Sequence, residues 1–133
     1  MDRTSLAWGS ALMALGVALG AFGAHGLKAV LGLDALAQWN TGVHYHFIHA
    51  LGLLLLAALS DMLPQRTVTR VRLSFLLGIL LFSGSLYLLS TRAIFHTEAL
   101  TPVLGPITPL GGLLFMIGWV LLLITTLYKR NQG

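Results

Sequence analysis

Histidine is the side chain in this sequence best suited to chemistry, because it binds metals, moves protons and changes charge near neutral pH. There are five, His25, His44, His46, His49 and His96. On a helix His46 and His49 are three apart and share a face, whereas His44 points nearly the opposite way. If His25 ends one membrane helix and His46 begins the next, antiparallel packing brings His25, His46 and His49 together. Three converging imidazoles suit a divalent transition metal such as zinc, copper or nickel, and two from different helices suit the axial positions of a haem. The competing reading, preferred because an interfacial histidine costs less than an Asp or Lys, is that the rings bond backbone carbonyls or line the membrane boundary.

Other chemistry has less behind it. His96-Thr97-Glu98 places a His and a Glu as a zinc deaminase does, but the Cys pair that would complete that site is missing and the stretch reads as loop. Ser83 and Ser85 lack the GxSxG elbow of a serine nucleophile and read as hydrogen-bonding residues between packed helices. Small four-span exporters use a membrane-embedded carboxylate, yet the first apolar stretch has none and Asp61 sits at a membrane border beside Pro64. The absence of cysteine excludes disulfides, iron–sulfur ligation, thiolate zinc sites and c-type haem attachment.

The elements that would position these histidines follow from composition. The chain has 133 residues, 56% of them hydrophobic and 9% charged, far from the quarter or so of charged residues in an average soluble domain. It reads as one integral membrane unit. The pI of 10.1 comes from eight Lys and Arg against four Asp and Glu, with no basic helix face, so nucleic acid is not an expected partner. Hydropathy predicts an all-α membrane protein with four transmembrane helices in a compact bundle, spanning about 6–27, 44–63, 71–89 and 109–127. The first stretch, roughly 33 Å long as a helix, continues past the small-x-small triplet Ala21-Phe22-Gly23, which argues against a cleaved signal peptide. Residues 28–42 read as an interfacial segment with Trp39 at the headgroup level. Arg66, Arg70 and Arg72 read as a basic loop after Pro64. Thr108 and Pro109 read as the N-cap and first residue of the fourth span, which ends on the anchors Tyr128, Lys129 and Arg130.

Six of the eight basic residues fall on the side carrying both ends of the chain, against Lys28 and Arg92 on the other. The positive-inside rule therefore predicts cytoplasmic termini and histidines toward the opposite face. Small residues mark the packing seams: Gly16 and Gly20 in the first span, Gly78, Ser83 and Ser85 in the third, Gly111 and Gly112 in the fourth. Such stripes let backbones approach one another, within one chain or between copies in a homo-oligomer.

Four ordered blocks complete the reading: Gly20-Ala21-Phe22-Gly23-Ala24-His25-Gly26-Leu27, then Trp39 through His49-Ala50-Leu51, then Phe82-Ser83-Gly84-Ser85-Leu86-Tyr87, and Ile107-Thr108-Pro109-Leu110-Gly111-Gly112. Together they resemble the bacterial inner-membrane family called domain of unknown function 423, which is similar to a small eukaryotic transmembrane protein family. The resemblance covers essentially the whole chain and implies a short multi-pass protein of the bacterial inner membrane. It implies no catalytic residues, and its motif histidines correspond to His25 and His49. The expected function is that of a non-enzymatic accessory or interaction protein whose partners are the lipid bilayer and another membrane protein or a second copy. The alternatives are a redox module holding haem, a divalent transition metal or a quinone at the His cluster, and a small channel or transporter.

Overall fold

A computed structural model describes residues 1–130, with side chains to residue 128. Helix α1 runs Arg3–His25, α2 Leu33–Leu59 and α3 Gln65–Gly78. Helix α3 passes through a π-helical turn, Ile79–Ser83, into α4, Gly84–Ser90. A short α5, Arg92–Phe95, leads to α6, Thr101–Arg130. Four of the resulting stretches are helical, long and apolar enough to cross a membrane: Arg3–Ala29, Leu33–Met62, Gln65–Ser90 and Glu98–Tyr128.

Each helix starts for a local reason. Asp2 caps α1 by accepting from the Thr4 amide, and Pro64 stops the previous turn and stands at the N-cap of α3. Three boundaries differ from the hydropathy reading. Helix α2 begins at Leu33, so residues 33–42 are its first turns; nothing in that stretch breaks a helix, and Gly42 is needed where Tyr87 packs, a Cβ there falling 2.9 Å from its ring. Helix α3 begins at Gln65, so Arg66, Arg70 and Arg72 are helical residues. Helix α6 begins at Thr101 and carries Pro106 and Pro109 inside it. Thr108 is accordingly no N-cap: its hydroxyl donates to the Leu104 carbonyl at 3.2 Å and pairs with the Ser85 hydroxyl at 2.7 Å.

The two middle spans form the centre and the two outer ones clasp it. In the most apolar windows of the second and third spans 44 and 50% of residues are buried, against 17% in the first and fourth. Helix α1 packs on α2, and α6 packs on α3, the π turn and α4. Leu53, Leu56, Val68, Val71, Phe75, Ile79 and Phe115 make the apolar core. Glycine sets how closely the helices approach. A Cβ on Gly16 would fall 3.1 Å from the Phe47 ring, and Gly20 faces Val43 and Phe47 at ordinary distance. This stripe is therefore occupied by α2 of the same chain, and a homo-oligomer would need another face. Gly78 admits the Phe115 ring, and Gly111 lies against the backbone of Phe82 inside the π turn. Ser83 is fully buried there, and its hydroxyl has no hydrogen-bond partner among the described residues.

Where α1, α2 and α3 meet at one end, Asp2 joins all three. Its amide donates to the Ser60 hydroxyl at 2.8 Å and its carboxylate accepts from Ser5 and from Arg72, each at 2.6 Å. Burial pushes this carboxyl's pKa up, but the Ser5 bond, the Arg72 charge and the Thr4 amide outweigh it, so the pKa lies below the usual carboxylate value.

Candidate functional site

The centre of α2 holds the polar side chains, in two pairs with opposite fates. His46 lies thirteen residues from either end of the helix, about 20 Å. Its Nε2 lies 2.9 Å from the Leu12 carbonyl on α1, which can only accept, so Nε2 carries the proton. Its Nδ1 then accepts from the Tyr87 hydroxyl of α4 at 3.1 Å. His49 is wired the other way round. Its Nδ1 donates to the Tyr45 carbonyl at 2.8 Å, and its Nε2 accepts from the indole N–H of Trp119 on α6 at 3.1 Å. Since an indole only donates, this partner holds His49 as the neutral Nδ1–H tautomer. Phe115 stacks on the same ring at 3.4 Å between centroids.

Trp39 adds a third tie. Its indole donates to the Leu19 carbonyl of α1 at 3.1 Å, and its ring lies 4.6 Å from that of Tyr87. It is 4% exposed, which overturns the expectation of a headgroup anchor: α2 starts six residues earlier, and α1 leaves a slot at Gly23, where a Cβ would fall 2.6 Å from the indole nitrogen. Of the other expected anchors, Tyr128 is exposed at the end of α6, while the side chains of Lys129 and Arg130 lie outside the described residues.

The expected cluster of His25, His46 and His49 does not converge. His25 is exposed at the end of α1, whereas His46 meets α1 at Leu12, thirteen residues and about 20 Å away. The early start of α2 is the reason, since it moves His46 from a helix end to mid-span. Nor do the two buried histidines sit at an end of α2. A metal or haem iron needs a free imidazole lone pair, and the acceptor nitrogen of each ring is already engaged, so these residues do not fit such a group. Among the described residues no set of three His, Asp or Glu side chains could hold a metal ion. His96 caps α5 in the left-handed conformation, φ 53°, and is exposed. Tyr87 and Trp119 are the partners that sequence reasoning missed; the available signal was a polar-tipped aromatic within an apolar span, which when buried takes a partner.

His44 and Tyr45, on the same helix, differ, although Tyr45 stacks beside His49 one turn away. His44 is exposed and Tyr45 is 39% exposed, and among the described residues neither side chain makes a hydrogen bond. Both line a lateral groove of about 500 Å³ between α2 and α6, opposite Pro109, Gly112, Leu113 and Met116, and the buried His49, Phe115 and Trp119 form its inner wall.

The model for "Protein of unknown function (DUF423)" matches residues 19–112, most of the chain. The chain belongs to the DUF423 family. The match runs from the Leu19 carbonyl that receives Trp39, through both pairs on α2, to the groove at Gly112. Among relatives, this DUF423 protein is 47% identical over 116 residues to the UPF0382 membrane protein YwdK of Bacillus subtilis, covering 86% of this chain and 87% of that one. It is 44% identical over 104 residues to a UPF0382 membrane protein of Haemophilus influenzae, covering 78 and 77%. To a UPF0382 membrane protein of Staphylococcus haemolyticus it is 40% identical over 112 residues, covering 84 and 85%. No solved structure matches it. The DUF423 chain is thus a multi-pass membrane protein in a family without an assigned activity.

Proposed function

We propose that this protein is a non-enzymatic accessory protein of the bacterial inner membrane that works by lateral contact along the flank of α2 and α6. The observation that carries this reading is the division of labour on α2. The inward imidazoles are saturated by Leu12, Tyr87, Trp119 and the Tyr45 carbonyl, while the side chains of His44 and Tyr45 make no hydrogen bond among the described residues although they lie in a membrane span. Polar groups at that depth are costly unless something meets them. A photo-crosslinking residue at Leu113, half exposed in the groove, should give one reproducible adduct in native membranes, with a lipid-soluble molecule or another membrane protein. The same residue at Leu73, on the exposed side of α3, should not. Equal labelling at both positions, or none, would overturn the reading.

Cytoplasmic termini belong to the same proposal, supported by Arg3, Arg66, Arg70 and Arg72 at the end of the helices that carries Asp2, against Lys28 and Arg92 at the other. A reporter fused after Gly133 should read cytoplasmic. For the haem or metal alternative, a Soret band or stoichiometric metal in gently purified protein, lost on substituting His46 and His49 by Ala, would displace the proposal.

A further inference from the structure

We infer that the groove between α2 and α6 is a binding site for the head of an isoprenoid quinone. This rests on the lateral-contact reading above and names what is contacted.

Three observations carry it. The first is donor chemistry. The Tyr45 hydroxyl and the His44 ring offer O–H and N–H donors on one wall, and neither has a hydrogen-bond partner among the described residues. A quinone has carbonyl acceptors on a flat apolar ring, and two donors at neighbouring positions match it. The second is depth. Val43, next to His44, faces Gly20 of α1, five residues short of the helix end at His25 and so about 8 Å below it. A phosphate headgroup drawn to that level would lose its hydration, whereas a neutral quinone head with a prenyl tail is at home there. The third is the floor of the groove. Gly111 must be glycine because the Phe82 backbone lies against it, but a Cβ on Gly112 would meet the Phe82 ring at 3.5 Å, an ordinary contact. Helix packing does not require Gly112 to be glycine, and its missing side chain leaves the groove open. Tyr45, Phe82 and Phe115, with ring centroids 4.6 to 6.2 Å apart, supply an aromatic wall, and Leu113 and Met116 an apolar path for the tail.

The experiment uses the full chain in nanodiscs of phosphatidylethanolamine and phosphatidylglycerol, titrated with decylubiquinone and read by quenching of tryptophan fluorescence, Trp119 being at the groove. Saturable quenching at one quinone per chain is expected. Gly112→Leu should abolish the saturable part, and His44→Leu with Tyr45→Phe should weaken it about tenfold, two hydrogen bonds being lost. The double variant serves on its own if Gly112→Leu does not fold. Quenching that rises linearly and equally in all three proteins is partition into the bilayer and overturns the inference. So does saturable binding that added phosphatidylglycerol competes away, which would make the site a phospholipid site, or a groove closed by a second copy, seen as dimeric particles. Failure of quinone binding with a surviving Leu113 adduct to a protein removes the quinone and keeps lateral contact; loss of both removes both.

Discussion

Two pairs of residues on one helix, one position apart at their nearest, treat the same chemistry in opposite ways. His46 and His49 turn inward, where each ring nitrogen meets a group on α1, α4, α6 or the preceding turn of α2. His44 and Tyr45 turn outward to a groove and bond nothing among the described residues. In a membrane no hydrophobic force draws helices together, so interhelical hydrogen bonds and close packing do that work, each bond contributing about 0.6–2 kcal/mol. The inward histidines are therefore joints of the structure. An imidazole becomes available for contact only where the fold leaves it unmatched.

The substitution that should disturb both pairs most is Gly111→Leu. Its side chain would enter the Phe82 backbone, so α6 would separate from the π turn and the folded protein would be lost, seen as aggregation on size-exclusion chromatography. Next, His46→Ala removes ties to two helices and leaves a cavity, at a cost of about 2–4 kcal/mol in reversible unfolding in detergent. His46→Gln, which keeps a donor for the Leu12 carbonyl, should recover part of it.

Asp2 shows the same logic with charge at the end of the chain. Asp2→Asn should cost about 1–3 kcal/mol at neutral pH, because Arg72, 16% exposed, loses its partner. The folded-state pKa of Asp2 is lowered, so its contribution is complete above the usual carboxylate value and is lost as the pH falls through the lowered one. Unfolding midpoints of wild type and Asp2→Asn should therefore converge in acid. Trp119→Phe should have the smallest inward effect, about 1 kcal/mol, since it deprives His49 of one donor and keeps most of the ring contacts.

The pattern of four spans was legible because long apolar runs report composition directly, and the shared face of His46 and His49 because three-residue spacing is a helical constant. Their depth was not. The purest apolar run begins at Phe47, so hydropathy places a helix start near His44, while the backbone keeps its helix from Leu33 through Asn40 and Thr41. The same holds for α6, where Pro106 and Pro109 suggest a loop, yet a membrane helix absorbs both prolines. Gly16 and Gly20 were legible as a close-packing stripe, but spacing within one helix does not say whose helix fills it. Asp2 and Arg72 pair across 70 positions, and no local pattern connects them.

The contrast between the bonded and the unbonded pair is tested most directly by unfolding two double variants side by side in the same detergent, His44→Leu with Tyr45→Phe and His46→Ala with Trp119→Phe. The outward pair should leave the free energy of unfolding within about 0.5 kcal/mol of wild type, while the inward pair should lose about 3–5 kcal/mol. Equal losses for the two pairs, or a larger loss for the outward one, would contradict the account.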